Sequence, residues 1–322
     1  MTAPGSPPPP PAASASAWSP RAAAGFALSG GLAVDAGRAV DLLAQAAGQG
    51  FSPVLVTEVS AASGLSLTAA LAARRPGVRT GTAIVPLGSR SEAALAMAAT
   101  TAAQLAGAPF LLGVGTSSRQ IVTGWHGQRH DPTVAGTRER LRRLRALLDG
   151  ERRGSFALAS PPGETVRVLL GALGPRMVEL AFEATAGAIV NLTPPEALPS
   201  PREGKLLLAN VWVLDGDDAE PRARRDLVAY VMAAPYARHF SRLGFTEAVE
   251  RVAALGAEGR LRDAPATLPE EMIGALYVRP PGLAGRLAAY RRAGAHPVVI
   301  PVTADRPADE MAALLRRASR LT

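Results

Sequence analysis

The segment VRTGTAIVPLGSRSEAALAMAATTAAQLAGAPFLLGVGTSS, residues Val78–Ser118, decides how the rest of the chain is read. It starts as an apolar run, Val78–Val85, continues as an alanine-rich helical pattern over Ser91–Leu105, and ends in a second apolar run, Phe110–Gly115. The second run, like most of the strand candidates, is nearly continuous in apolar residues, as strands buried on both faces should be. Strand, helix and strand in this order form the repeating unit of a parallel sheet.

Outward from that unit the alternation continues. Upstream lie strand candidates Gly25–Ser29 and Pro53–Thr57, and downstream Val166–Gly171, Ala188–Asn191, Leu206–Leu214 and Pro297–Val302. Helical patterns fill the intervals: Ala36–Gln49, Leu67–Arg74, Thr137–Leu148, Pro175–Thr185 and Asp217–Ala233. Asp35 is placed to cap the first helix, and Pro175 suits a first helical turn. Eight strands, mostly alternating with helices, predict an α/β chain folded as a (β/α)8 TIM barrel, with an open doubly wound sheet as the alternative. Two stretches interrupt the alternation: Trp125–Val134 after the fourth strand and Pro235–Pro281 between the seventh and eighth. In a barrel both insertions fall near the face that carries active sites.

Residues 1–21, rich in Pro, Ala and Ser and including Pro7 to Pro11, are expected to form a disordered tail, leaving 22–322 as one domain. The chain of 322 residues is 48% hydrophobic and 19% charged, enough apolar matter for a large core, and with aromatics at 4% that core must be built from Ala, Val and Leu. The net charge of +8 is almost all arginine, Lys205 being the only lysine. The densest run, Arg138, Arg140, Arg142, Arg143 and Arg145, goes around a helix rather than along one stripe, and no aromatic residues interleave with it. That pattern suits a solvated helix surface and not a nucleic-acid partner.

The absence of cysteine removes disulfides and thiolate chemistry, and the four histidines, His126, His130, His239 and His296, make no metal-binding motif. No apolar run approaches the ~20 residues that span a bilayer. With no basic and apolar leader at the amino end, a cytoplasmic protein without a membrane partner is expected.

Chemistry-bearing residues cluster after the predicted strands. The fourth ends in Leu112-Gly-Val-Gly-Thr-Ser-Ser118, where small residues let backbone amides approach an anion, although a plain tight turn reads the same way. The fifth leads through Gly171-Ala-Leu-Gly-Pro175 into a helix, whose free N–H groups form a natural phosphate seat. Two such turns on adjacent strands favour a phosphorylated cofactor. Glu58, closing the second strand, can handle a proton or pair with an arginine. His126, in the loop after the fourth strand, is either a general acid or a loop histidine held by backbone contacts. His130 and His239 read as surface residues, and His296 falls at the opposite end of the barrel.

These pieces together resemble the bacterial luciferase-like superfamily of flavin- and deazaflavin-dependent oxidoreductases, in particular its branch using coenzyme F420. The resemblance rests on Thr57-Glu-Val59, Gly81-Thr-Ala-Ile-Val-Pro86, Leu112–Ser118, Gly124-Trp-His-Gly127, Ala172-Leu-Gly-Pro-Arg-Met177 and Leu287–Gly294, and it covers about residues 22 to 320. It implies a barrel that binds F420, or alternatively FMN, across its carboxyl mouth. It also implies a bulge with a non-prolyl cis peptide at Ala83 and Ile84 behind the ring. Thr116, Ser117 and Ser118 would contact the cofactor tail, and Ala172, Leu173 and Gly174 would hold its phosphate. Glu58 and His126 would be the polar groups near a small organic substrate. The implied reaction is hydride transfer, or monooxygenation with FMN, and the implied assembly, by analogy, is a homodimer.

Departures from the family pattern are also present. The histidine that some F420 enzymes carry on the second strand is absent, the usual Ala-Asp-Gly reads Thr185-Ala-Gly187, and Glu92 replaces a proline. They leave open a non-catalytic barrel that binds a ligand or partner.

Overall fold

The computed structural model describes residues 22, 24–29, 35–302, 313, 316 and 318. The expected tail over 1–21 lies outside the described residues. The strands are β1 (Gly25–Leu28), β2 (Val54–Val56), β3 (Thr80–Pro86), β4 (Phe110–Gly115), β5 (Val166–Gly171), β6 (Gly187–Val190), β7 (Leu206–Val213), β8 (Tyr277–Val278) and β9 (His296–Pro301). The helices are α1 (Ala36–Gly48), α2 (Gly64–Arg74), α3 (Glu92–Ala106), α4 (Val134–Leu148), α5 (Pro175–Ala184), α6 (Ala219–Val231), α7 (Ala234–Arg242), α8 (Thr246–Ala257), α9 (Glu270–Leu276) and α10 (Leu283–Arg292).

All pairings between the named strands are parallel, and the sheet closes on itself because β6 pairs with β7 while β1 pairs with β9. The ring of β1–β7 and β9 is therefore a (β/α)8 barrel, which excludes the open sheet. Strand β8 was not anticipated: its two residues attach to the carboxyl end of β7, Trp212 opposite Tyr277.

Alternate residues of each strand face inward or outward, because side chains in a strand alternate. The inward set, including Ala27, Leu55, Ala83, Leu111, Leu169, Ile189, Leu208, Val298 and Ile300, fills the barrel axis. The outward set packs against the helices, with Phe26, Phe110, Leu112 and Val114 buried against residues such as Leu95, Leu141 and Leu144. A separate apolar cluster joins α6, α8 and α9 to Leu192, Leu214 and Tyr277, so the long connection from β7 to β9 forms a cap on the carboxyl face. Asp35 caps α1 by accepting from the amides of Gly37 and Arg38, and Pro175 occupies the first turn of α5.

The arginine run on α4 is consumed by carboxylates and carbonyls. Arg138 pairs with Glu183, Arg142 with Glu139, and Arg140 and Arg143 both with Glu92. Arg145 donates to the Ala184 carbonyl. The replacement of proline by Glu92 thus ties the first turn of α3 to α4.

His296 opens β9 at the amino end of the barrel, as expected. It is buried, and its Nε2–H donates to the Ser52 carbonyl at 2.9 Å. Burial pushes its pKa down to about 4, helped by the charge of Arg291 and opposed by the Ser52 bond. An unfolded histidine titrates near 6.5, so the unfolded chain takes up this proton first on acidification. The stability His296 contributes is complete above pH 6.5 and is lost as the pH falls toward 4. At pH 4.5 the loss is about 2–3 kcal/mol. Urea midpoints at pH 7.5 and 4.5 should therefore converge more in His296→Gln, which keeps a donor there, than in the parent protein. An equal acid loss in both would contradict the assignment.

Candidate cofactor site at the carboxyl mouth of the barrel

Strands β3, β4 and β5 build one side of the mouth from small residues. The β3–β4 register shifts between Thr82 and Val85, and the Ala83–Ile84 peptide within that bulge is cis. Ala83 joins the axial core, while Ile84 is half-buried. Its side chain lies across the ends of the next two strands: a Cβ added at Gly115 or at Gly171 would come within 3.1 Å of Ile84 atoms. The two glycines are thus what allows Ile84 to lie low over β4 and β5, giving an apolar platform level with the strand ends.

The two turns read as anion seats flank that platform. Val114 of β4 is in register with Leu170 of β5, so Thr116–Ser118 and Leu173–Gly174 leave neighbouring strand ends on the same face. Ser117 takes φ 57°, and the Ser118 hydroxyl accepts from the Ile121 amide. Gly174 is the N-cap of α5 with extended backbone, no side chain caps that helix, and the space where its Cβ would stand is open. Pro175 has no N–H and the Met177 amide donates to the Gly174 carbonyl at 3.0 Å, so within the first turn the Arg176 amide, together with the helix dipole, remains directed at whatever enters. Ala172 does not share this role, since its amide donates to the Ile189 carbonyl at 3.0 Å and extends the sheet.

Each turn also carries a basic side chain that the sequence did not reveal, one of them from the distant α7. Arg242 of α7 donates to the Leu173 carbonyl at 3.2 Å. His130 Nε2 lies 3.2 Å from the Thr116 carbonyl, and because a carbonyl only accepts, that nitrogen carries the proton. His130 is half-buried in this contact, whereas His126, the expected general acid, is exposed beside Trp125 at the end of a π-helical segment, Gln120–Trp125.

On the opposite side, β6 and β7 supply a polar wall. Asn191 Oδ1 accepts from Trp212 Nε1 at 2.8 Å and from Asn210 Nδ2 at 3.2 Å, while its Nδ2 donates to the Tyr236 hydroxyl at 2.8 Å. His239 corrects the surface reading: it is buried, with Nε2 at 3.0 Å from the Leu192 carbonyl and 3.1 Å from the Thr193 hydroxyl. Burial lowers its pKa, and the nearby Arg242 charge acts in the same direction. Among the described residues, the two non-glycine positions with left-handed backbone, Ser117 and Leu192, both stand at this mouth. Such conformations cost about 1–3 kcal/mol each and gather at functional sites.

Glu58 sits on the rim in the paired state. Arg90 grips it with Nη1 at 2.5 Å from Oε1 and Nη2 at 3.0 Å from Oε2, and the Gly64 amide donates to Oε2 at 2.8 Å. Of the two roles open from the sequence, the geometry realises the ion pair. The Glu58 backbone amide meanwhile donates to the Ile84 carbonyl at 3.0 Å, so the pair also braces the platform.

With this geometry in hand, the likeness to known proteins is specific. The family model for luciferase-like monooxygenases matches residues 17–200, more than half of the chain. The chain belongs to that family. A Mycobacterium tuberculosis protein, Rv3520c, which is named as a coenzyme F420-dependent oxidoreductase, is 27% identical over 289 residues, covering 72% of this chain and 81% of its own. Among solved structures, the coenzyme F420-dependent tetrahydromethanopterin reductase of Methanopyrus kandleri superposes with a TM-score of 0.69 at 18% identity, covering 92% of this chain and 97% of that one. An F420-dependent secondary alcohol dehydrogenase in complex with an F420–acetone adduct gives 0.69 at 14% identity, with coverages of 93% and 98%. These two share the fold. The chain is thus a luciferase-like oxidoreductase by family, and no helix among the described residues is long and apolar enough to cross a membrane.

Proposed function

We propose that the protein transfers a hydride between coenzyme F420 and a small organic substrate held against the cap. The observation that carries this reading is the apolar Ala83–Ile84 platform beside two adjacent backbone-amide turns, one of them with Arg242 at hand. That arrangement fits a flat ring with an anionic tail: apolar surface for the ring, uncapped amides and a guanidinium for the phosphate. Leu173 and Gly174 would take the phosphate, Thr116, Ser117 and Ser118 the chain beyond it, and Ala83 and Ile84 the back of the ring. When bound, the deazaflavin supplies the hydride chemistry, and the protein's part is to position the ring and exclude water. The cap of α6–α9 provides the exclusion, and the exposed His126 is a candidate to reach substrate from the rim.

Titration of the purified protein with F420 and, separately, with FMN should quench F420 fluorescence at micromolar or lower concentration. Tighter binding of FMN would move the protein to the monooxygenase reading of its family. Binding of neither would overturn the proposal.

A further inference from the structure

The polar wall contains one group that the protein leaves unpaired. Asn210 is 6% exposed and its Oδ1 has no hydrogen-bond partner among the described residues. A buried acceptor without a donor is unfavourable, so its persistence needs a reason. Its orientation is forced. An indole N–H only donates, so Trp212 fixes Asn191 Oδ1 as the acceptor of their 2.8 Å bond. Asn210 must then turn its Nδ2 toward the same oxygen, at 3.2 Å, and its own Oδ1 is left facing away. A flipped amide would oppose two oxygens.

The position of this acceptor is also fixed. Along β7, Leu208, Asn210 and Trp212 share one face, and Leu208 belongs to the axial core. Asn210 therefore projects into the barrel axis, one layer below Trp212. Across the barrel lies the Ala83–Ile84 platform.

Taking the cofactor reading as its premise, we infer that Asn210 Oδ1 is the acceptor for the imide N–H on the pyrimidine edge of the bound ring. That N–H is the ring donor F420 and FMN have in common. Asn210 is then a positioning residue, selecting a ring edge that presents a neutral donor and setting how deep the ring sits.

The test compares whichever cofactor the protein binds with its N-methylated imide analogue, in the parent protein and in Asn210→Leu. Methylation should weaken binding to the parent about tenfold and binding to the variant hardly at all. The variant, relieved of an unpaired acceptor, should melt no lower than the parent without cofactor. Asn210→Ala serves for the same comparison should the leucine fail to fold. Equal methylation costs in parent and variant, or none in either, overturn the assignment. Failure of the parent to bind any cofactor would instead overturn the cofactor reading itself, so the two failures are distinguishable.

Discussion

Gly174→Asp is expected to leave the fold intact and to remove cofactor binding almost completely. The position already has N-cap backbone, φ −89° and ψ 152°, and a side chain there meets open space. Aspartate is a better N-cap than glycine by a few tenths of a kcal/mol, so the melting temperature should hold or rise slightly. The same carboxylate, however, would stand where the phosphate is proposed to bind and would accept from the amides that serve it. Two like charges about 4 Å apart repel by about 4 kcal/mol at the effective dielectric of a protein surface. Allowing for partial solvation, a loss of about 2–4 kcal/mol corresponds to a dissociation constant roughly 30- to 1000-fold higher. Gly174→Asn separates the causes, since it caps the helix without the charge and should lose distinctly less. Fluorescence titration beside a thermal melt reads both quantities. An aspartate variant that binds as well as the parent would show that the phosphate does not sit on α5.

The fold was largely legible because a parallel barrel writes itself in the sequence. Its strands are buried on both faces, so Phe110–Gly115 appears as an uninterrupted apolar run and Val166–Gly171 as one broken only by Arg167, and both have those bounds in the structure. Strand β8 was not legible, since two residues carry no periodicity and exist as a strand only by pairing with β7. The anion turns could be found for a similar reason: small residues directly after a strand mark close backbone approach. Arg242 could not be found, because it reaches Leu173 across 69 positions of sequence from the cap. His239 misled in the same way. Its neighbours Arg238 and Arg242 make the segment look exposed, but the other face of α7 docks on Leu192 and Thr193. For Asn210 a signal was present and unused. A lone amide in LLLANVWV, in phase with the inward-facing Leu208, is a polar group aimed at the barrel axis.

Arg90→Met should destabilise the protein by about 2–3 kcal/mol, the largest effect on stability expected from any single rim substitution. The side chain of Glu58 is only 8% exposed, and Arg90 supplies its counter-charge through two bonds. Removing one member of a buried pair costs about 3–5 kcal/mol because the remaining charge is stranded, and the 26% exposure of Arg90 lowers that figure. At about 2 °C per kcal/mol for a domain of this size, the melting point should fall by about 5 °C. The effect should not stop at stability. Arg90 also bonds Ser89, its carbonyl accepts from Arg140, and Glu58 holds the Ile84 carbonyl through its own amide. Loosening the pair therefore loosens the platform, and cofactor affinity should fall along with the melting point. Glu58→Met combined with Arg90→Met removes both charges and should recover most of the stability, as apolar replacements of buried pairs commonly do. A double variant as unstable as the sum of the two single ones would mean that the charges do not interact. A free catalytic carboxylate at Glu58 would then become the better account of the rim.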